Sequence, residues 1–335
     1  MKATFDGVWV RLGSEGRALY EQGGYGRPER EGLRLAPEEA LYLIGRHKIE
    51  VEDFSFDTLL GYFAVQPNFI RSYLVYRDIR ERGYVVQPGP HDYRVFRRGH
   101  KPGAGRSLYL VRVLSERDLI DFEQVSLDVD AAENMRKQYV LAVVDDEDEL
   151  TYYGVRVQDL PAMEPEQPPG PVDASRIGTY ALARLGPGSE LEERWYGKRL
   201  DDERLLLRPI EAIFLMKEGS LNLFENGEPV AADAFLERTA SEDVEIAEKS
   251  RVYADLRGKG YIPRTGYKFG HHFRVYSGKK THSEMLVHAL PPGSSRPMSA
   301  ISRSVRLAHS VKKKMLFACI QNTHIRYVEF TRIKL

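Results

Sequence analysis

The sequence predicts an α/β (α+β) fold that is built by tandem duplication. Three observations support this prediction. Short segments of the first half recur in the same order in the second half, helix-like and strand-like segments alternate within each half, and a proline-rich stretch at residues 161–171 separates the halves. Alternation of helices and strands favours an α/β architecture. A repeat this long indicates a duplicated domain rather than a solenoid.

Six collinear matches define the two copies. The matched segments are 25–27 with 196–198, 35–43 with 207–215, 76–85 with 253–262, 93–96 with 273–276, 107–111 with 283–287, and 135–137 with 311–313. Chance does not produce six matches in unbroken order at a nearly constant offset. A whole unit has therefore been duplicated.

Each copy divides into two predicted subdomains, a helix-rich one and then one with a small mixed sheet. In the helix-rich part, Pro37 or Pro209 stands where a helix can begin, and glutamate and an apolar stripe follow. The predicted subdomains are 1–70 and 71–160 in the first copy, then a semi-rigid proline-rich linker over 161–174, then 175–246 and 247–335 in the second copy.

The last subdomain has the clearest local signals. A predicted helix passes through residues 253–257 and ends before Gly260, because glycine commonly follows a helix C-terminus. The further predicted elements are strands at 261–262, 273–276 and 285–287, a helix over 300–312, a buried strand at 315–320 and a final strand at 325–333. The first copy is predicted to end in the same way, with strands at 139–144 and 150–157.

The formal net charge of zero hides an uneven distribution. The chain has 49 Lys or Arg and 49 Asp or Glu among 335 residues, which excludes a uniformly basic nucleic-acid coat. From Lys249 to the C-terminus, however, there are 18 basic and three acidic residues. Such a basic segment usually has an anionic partner such as nucleic acid. The alternative is a solvated face that pairs with the acidic remainder.

The composition also indicates the cellular setting. A single cysteine, Cys319, excludes an internal disulfide and a zinc cage made of cysteines. No run of about 18 apolar residues is present, so no membrane-spanning helix is expected. The N-terminal residues lack an apolar signal region. We therefore expect a soluble, cytoplasmic protein without membrane partners.

Three side chains of the second copy suit acid–base cleavage of RNA. Tyr276 ends an apolar strand, His282 is predicted to open the next strand, and Lys313 follows a helix and precedes a buried strand. RNA carries its own nucleophile, the 2′-OH. A protein then needs a base, an acid for the leaving oxygen and a cation for the phosphoryl charge. Judged by spacing alone, such a tyrosine is more often structural, a lone histidine is more often a core or surface residue, and such a lysine is usually a solvated cation.

The first copy differs at these positions. Phe96 and Arg106 replace the tyrosine and the histidine, whereas Lys137 keeps the lysine. A purely structural role for Tyr276 and His282 does not predict that both are replaced together. One copy is therefore predicted to be competent and the other to be a scaffold.

The segments 253–276, 282–287 and 305–313 together resemble the catalytic domain of the archaeal tRNA-intron (tRNA-splicing) endonucleases. The three motifs occur in order over about 65 residues, and the duplication extends the resemblance over nearly the whole chain. The chain is most similar to the homodimeric type, in which a degenerate unit is joined to a catalytic one. The resemblance implies that 247–335 is a nuclease-type catalytic subdomain and 71–160 its degenerate counterpart.

The resemblance also implies roles for the three side chains. Tyr276 would be the general base for the 2′-OH, His282 the general acid, and Lys313 would stabilise the pentavalent phosphate. The reaction would be a lyase-type cleavage of precursor tRNA that leaves 2′,3′-cyclic phosphate and 5′-OH ends. No metal and no cofactor are expected.

The resemblance further implies arginines that sandwich a bulged base of the RNA. They correspond to Arg306 and Arg332, with Arg326 as the competing candidate for the second. A guanidinium that stacks on a flipped-out base holds an unpaired RNA nucleotide. A phosphate contact or a plain surface charge is the alternative for Arg306.

Two departures from the family pattern leave alternatives open. The catalytic lysine is preceded by lysine rather than arginine, so Lys312 and Lys314 are alternatives to Lys313. The interval between Tyr276 and the histidine is short. His288 and His272 are therefore alternatives for the acid.

An acidic segment joins the last two strands of the first copy and consists of Asp145, Asp146, Glu147, Asp148 and Glu149. It could be an exposed turn that charge keeps soluble. In the resembling family, such a loop docks into a basic groove of a neighbouring catalytic unit. We therefore predict a two-fold homodimer whose two sites recognise bulge–helix–bulge RNA by shape.

Two other functions compete with this one. A non-catalytic RNA-binding protein would use only the basic C-terminal region, and its binding would depend strongly on salt. A metal-dependent nuclease would need a carboxylate cluster near its lysine, and the three acids of the basic region are scattered.

Overall fold

The chain is described by a computed structural model that covers residues 1–163, 168–278, 280–322 and 324–335. These residues form two compact units. Unit 1 consists of Met1–Val157, Ser295–Arg306 and Phe330–Leu335, and unit 2 of Gln158–Ser294 and Leu307–Glu329. Two segments of the second copy thus pack with the first. Part of the predicted linker, residues 164–167, lies outside the described residues.

The described residues contain 23 strands and ten α-helices. The strands are β1 (Lys2–Phe5), β2 (Val10–Leu12), β3 (Arg27–Glu29), β4 (Gly32–Leu35), β5 (Glu50–Val51), β6 (Val86–Pro88), β7 (Tyr93–Phe96), β8 (Ser107–Ser115), β9 (Leu119–Asp121), β10 (Gln138–Val144), β11 (Leu150–Gln158), β12 (Val172–Ile177), β13 (Tyr180–Arg184), β14 (Lys198–Arg199), β15 (Arg204–Leu207), β16 (Leu221–Glu225), β17 (Glu228–Val230), β18 (Tyr261–Thr265), β19 (Phe273–Ser277), β20 (Met285–Leu290), β21 (Ser295–Pro297), β22 (Lys314–Ile320) and β23 (Ile325–Ile333).

The helices are α1 (Arg17–Gly23), α2 (Pro37–Gly45), α3 (Phe56–Ala64), α4 (Phe69–Glu81), α5 (Phe122–Asn134), α6 (Glu190–Glu193), α7 (Pro209–Lys217), α8 (Ala232–Ala240), α9 (Ile246–Gly258) and α10 (Met298–Ser310). Among the helices of the described segments, none is both long and apolar enough to cross a membrane.

Both helix-rich subdomains begin their main helix at the predicted proline, α2 in the first copy and α7 in the second. A buried glutamate at the third helical position caps each one. Glu39 accepts hydrogen bonds from the Ala36 N–H at 2.9 Å and the Gly26 N–H at 2.8 Å. Glu211 accepts one from the Arg208 N–H at 3.0 Å. These bonds satisfy donors that a helix or loop would otherwise leave unpaired.

The mixed sheets have the same core in both copies. In unit 1 the strand order is β6-β7-β8-β10-β11, and β8 and β10 run parallel while the other pairs are antiparallel. In unit 2 the order is β18-β19-β20-β22, and only β20 and β22 run parallel. A parallel pair needs a crossover connection, which explains the long helix that lies between its strands in the sequence.

A buried arginine ties each sheet to its preceding subdomain. The guanidinium of Arg80 lies 3.9 Å from the ring centroid of Tyr25 and donates a 2.9 Å hydrogen bond to the Tyr76 hydroxyl. Arg257 occupies the same place in the second copy, 4.0 Å from the Tyr196 ring centroid. Both arginines are desolvated and held by aromatic faces, which makes the cation–π contact strong. The duplication therefore preserves tertiary contacts as well as elements.

The structure confirms α9 and the strands predicted for the last subdomain, and it places the helix predicted over 300–312 two residues closer to the N-terminus. α10 spans Met298–Ser310, because Lys312 has a left-handed backbone with a φ of 54°. The Lys313 N–H then bonds the Ala308 carbonyl at 2.8 Å, the pattern of a helix C-cap. The first copy repeats this ending, with a φ of 56° at Arg136.

Candidate active site

Tyr276 is the fourth residue of β19 and lies opposite Ile262 of β18. Its side chain is buried, with 7% of its surface exposed. The ring packs edge-on against Trp195, with ring centroids 5.3 Å apart. Trp195 in turn is fixed by a 2.5 Å hydrogen bond that its carbonyl accepts from Arg264. The packing leaves little freedom for the direction of the phenol.

His282 lies in the loop between β19 and β20, and the prediction that it opens a strand is wrong. β20 begins three residues later, at Met285, which pairs with Val275. The Ser277 hydroxyl donates a 2.5 Å hydrogen bond to the Glu284 carboxylate, which links the two ends of the loop. His282 is exposed to solvent.

Lys313 stands where predicted, after α10 and directly before β22. Its Nζ donates a 2.6 Å hydrogen bond to the carbonyl of Ser283, the residue next to His282. Partial burial lowers the pKa of the Lys313 ammonium, and the positive charge of Arg274 lowers it further. The alternatives Lys312 and Lys314 are exposed.

Strand register places the side chains of Tyr276 and Lys313 on one face of the sheet. Arg274 of β19 pairs with Leu286 of β20, and Leu286 pairs with Met315 of β22. Paired residues share a face, and residues two positions apart on one strand share it as well. Tyr276 and Lys313 therefore lie on the same face at the same end of the sheet.

Backbone hydrogen bonds hold the histidine loop against that end. The Glu284 N–H donates to the Val275 carbonyl at 2.9 Å, and the Lys314 N–H donates to the Glu284 carbonyl at 3.0 Å. The loop that carries His282 is thus attached to both of the other strands. The structure brings the loop of the histidine together with the tyrosine and the lysine.

Arg274 is a residue of this site that the sequence did not indicate. Its guanidinium lies 5.8 Å from the ring centroid of Tyr276. Its Nε is buried, and no described residue accepts a hydrogen bond from it. In the part of the chain that the structure describes, neither Arg274 nor Lys313 forms an ion pair with a carboxylate. The repeat contains the signal for it, because Arg94 is the matching residue of the first copy.

The alternative histidines lie elsewhere. His272 and His288 stack with ring centroids 4.0 Å apart, and His272 Nδ1 accepts a 3.0 Å hydrogen bond from the Ala289 N–H. Both line a separate cavity of about 680 Å³ in unit 2, together with His271. Burial lowers the pKa of His271 to about 4. Tyr276 is not part of that lining.

The three predicted RNA-binding arginines are divided between the units. Arg306 on α10 and Arg332 on β23 belong to unit 1 and are exposed. Arg326, at the start of β23, belongs to unit 2 and is half-buried.

The acidic segment forms the tight turn between β10 and β11. The Asp145 side chain stabilises the turn, because its Oδ1 accepts hydrogen bonds from the N–H groups of Glu147 at 3.0 Å and Glu149 at 2.9 Å. Asp146 forms an ion pair with Arg117. The remaining three, Glu147, Asp148 and Glu149, are exposed to solvent, as is the ion-paired Asp146.

A phenol, an imidazole and a primary ammonium at one end of a sheet form a site for acid–base chemistry, and the unpaired cations suit a phosphodiester substrate. Comparison with known proteins agrees with that class. The tRNA intron endonuclease catalytic C-terminal domain matches residues 69–152 and 246–327, and the N-terminal domain of the same family matches 1–60 and 188–236. Each domain type therefore occurs twice, which confirms the duplication.

Similar proteins span the whole chain. A protein named tRNA-splicing endonuclease from Methanococcoides burtonii is 40% identical over 95% of both chains. One of the same name from Methanosarcina barkeri is 38% identical over 100% of both. The chain belongs to the tRNA intron endonuclease family, which is a family of enzymes.

The electrostatic repulsion between Arg274 and Lys313 predicts a pKa change. In an Arg274→Gln variant we expect the pKa of Lys313 to rise, because removal of the neighbouring positive charge favours the protonated ammonium. NMR titration of the lysine side chains, with Lys313→Arg for assignment, measures the shift. Lys268→Gln, which removes an exposed cation of the same subdomain, is the control. An unchanged or lower pKa of Lys313 in Arg274→Gln would contradict this electrostatic coupling.

Proposed function

We propose that the chain is a tRNA-splicing endonuclease that cleaves precursor tRNA at exon–intron junctions within bulge–helix–bulge RNA. The observation that carries the proposal is the hydrogen bond from Lys313 to Ser283, which joins the lysine to the loop of His282 at the end of the strand that holds Tyr276. Membership of the family supports the substrate class.

In the proposed reaction, the 2′-oxygen of the RNA attacks the adjacent phosphorus while Tyr276 accepts the 2′-OH proton. The bond from phosphorus to the 5′-oxygen breaks, and His282 gives a proton to that oxygen. The products are a 2′,3′-cyclic phosphate and a 5′-OH. An exposed imidazole suits the acid role, because it can reach the leaving group and exchange protons with solvent afterwards.

Lys313 and Arg274 supply the positive charge in this scheme. The phosphoryl oxygens gain negative charge as the 2′-oxygen attacks, and preorganised cations stabilise such charge with little reorganisation. The Ser283 carbonyl keeps the Lys313 ammonium in place before RNA binds. Two fixed cations offer the electrostatic help that a metal ion gives in other nucleases, which is why we propose a metal-independent reaction.

Recognition of the RNA is proposed to need two chains. Arg306 and either Arg332 or Arg326 would stack on a bulged base, since guanidinium planes bind unstacked bases well. The acidic turn at 145–149 would dock on a basic surface of a second copy of the chain. Two sites at a fixed separation would then measure the helix between two bulges.

A cleavage assay tests the reaction. A bulge–helix–bulge RNA incubated with excess enzyme in chelator should yield cyclic-phosphate and 5′-OH ends. His282→Ala should lower the single-turnover rate by about 10²–10⁴-fold, the usual contribution of a general acid, while RNA binding is retained.

His309→Ala is the matched control, because His309 is an exposed histidine of the same subdomain. Its rate should equal that of the unaltered protein. Cleavage that stops in chelator, or that is as fast in His282→Ala as in the control, would refute the scheme.

A pair of neighbouring lysines identifies the cation. Lys313→Ala should lower the cleavage rate by about 10²-fold or more, because it removes a preorganised charge. Lys312→Gly should keep full activity, because the Lys312 side chain is exposed and its φ of 54° suits glycine. The midpoint temperature of thermal unfolding should be unchanged or raised in Lys312→Gly. If Lys312→Gly loses activity and Lys313→Ala does not, then Lys312 and not Lys313 supplies the cation, and the proposal for Lys313 is wrong.

The acidic turn predicts the oligomeric state. The chain of 38.3 kDa should have twice that mass in solution by light scattering. Neutralising Asp146, Glu147, Asp148 and Glu149 to their amides should shift the mass to that of the monomer. Asp145 is left in place, because it holds the turn together.

A variant with four other exposed acids of unit 1 neutralised, Glu15, Glu21, Glu31 and Glu52, carries the same change of charge. It should remain dimeric. If the unaltered protein is a monomer, or if both variants have the same mass, the proposal that the acidic turn docks on a second copy is wrong.

A further inference from the structure

The first copy keeps a pair of cations that matches Arg274 and Lys313 of the second copy. Arg94 of β7 pairs with Leu110 of β8, and Leu110 pairs with Tyr139 of β10. Lys137 stands two residues before Tyr139, directly before β10. By the same register argument, Arg94 and Lys137 lie on one face at one end of their sheet. Their placement in unit 1 reproduces that of Arg274 and Lys313.

The two residues also respond to each other electrostatically. Partial burial and the charge of Arg94 lower the pKa of the Lys137 ammonium. The same two causes, partial burial and the charge of a neighbouring arginine (Arg274), lower the pKa of Lys313. The left-handed residue before each lysine is repeated as well, at Arg136 and at Lys312. The first copy has thus kept Lys137 close to Arg94 after the duplication.

Neither cation is neutralised by its surroundings. The Nε of Arg94 is buried, and no described residue accepts a hydrogen bond from it. Over the described segments, no carboxylate forms an ion pair with Arg94, Arg106 or Lys137. Among the described residues, the Lys137 ammonium has only the weak acceptor Met135 Sδ, at 4.0 Å. A buried guanidinium donor without a partner costs free energy that a bound anion would offset.

The reactive groups have been removed from the same place. Phe96, which is buried, replaces the tyrosine, so the proposed base is absent. Arg106, which is exposed, replaces the histidine, and a guanidinium does not release a proton near neutral pH. The substitution exchanges a titratable group for a permanent cation. The charge that attracts a phosphate has therefore increased while the chemistry has been lost.

We infer that Arg94, Lys137 and Arg106 form a second phosphodiester-binding site, on unit 1, that holds the RNA backbone without cleaving it. The inference rests on the proposed function, because it takes RNA as the ligand. A guanidinium and an ammonium on one face give the paired, charge-assisted contacts that suit a phosphate. Such a site would add affinity and position the RNA without reading its sequence.

Equilibrium binding of a bulge–helix–bulge RNA at several salt concentrations tests the inference. The measurements use the full chain in the His282→Ala background, so that the RNA stays intact. Arg94→Gln/Lys137→Gln should weaken binding by about tenfold, and should reduce the slope of log K against log salt by about 1–2, since each phosphate contact contributes about one unit. Lys137→Gln alone, at a half-exposed position, should reduce the slope by about 1.

Arg77→Gln/Lys2→Gln removes two exposed cations of unit 1 that lie outside the site and serves as the control. It should leave the slope unchanged. Substitution of single RNA phosphates by neutral methylphosphonates gives a second readout. At least one phosphate away from the cleaved junctions should weaken binding when neutralised, and that effect should vanish in Arg94→Gln/Lys137→Gln. A purely structural role of Arg94 would not produce this loss.

The outcomes separate the two proposals. If the unaltered protein cleaves the RNA but the double variant keeps its affinity and salt slope, this inference is overturned and the proposed function stands. If the unaltered protein neither binds nor cleaves the RNA, both fall. A reduced slope together with the lost methylphosphonate effect supports the second site.

Discussion

The candidate active site depends on the hydrogen bonds that join three chain segments at one end of the second copy's sheet. Val275, Glu284 and Lys314 are linked through their backbones, and the Lys313 ammonium binds the Ser283 carbonyl. Tyr276, His282 and Lys313 come from three separate segments, and none could hold the others by local structure. Backbone bonds at the edge of a ladder are short and directional, so they fix such a constellation more firmly than side-chain contacts.

Duplication explains why one chain has both the candidate site and a copy of its scaffold without the tyrosine and the histidine. The scaffold is the same in each copy: the parallel strand pair, the left-handed residue before the lysine, and the arginine clamped on a tyrosine. These features carry stability, and they are kept. Phe96 keeps a buried aromatic ring at the position of Tyr276, and Arg106 is exposed like His282, so the two differences leave the fold intact.

Local patterns in the sequence predicted the elements well, because apolar periodicity and glycine positions act over a few residues. The helix before Gly260 and the strands at 273–276 and 315–320 are examples. The sequence predicts that His282 opens a strand, whereas it lies in a loop, because strand register is set by partners far away in sequence. Arg274 was missed, because an arginine within a strand looks like a solvated charge until its buried Nε is seen. The packing of 295–306 with unit 1 is likewise a long-range effect.

In the proposed reaction, His282 protonates the 5′-oxygen as it leaves. The most direct measurement replaces that oxygen by sulfur at the cleaved junction, because a thiolate leaves without a proton. With the sulfur substrate, we expect the single-turnover rate of His282→Ala to return to nearly that of the unaltered enzyme, whereas Lys313→Ala should stay slow. A His282→Ala variant that is equally slow with both substrates would contradict the claim.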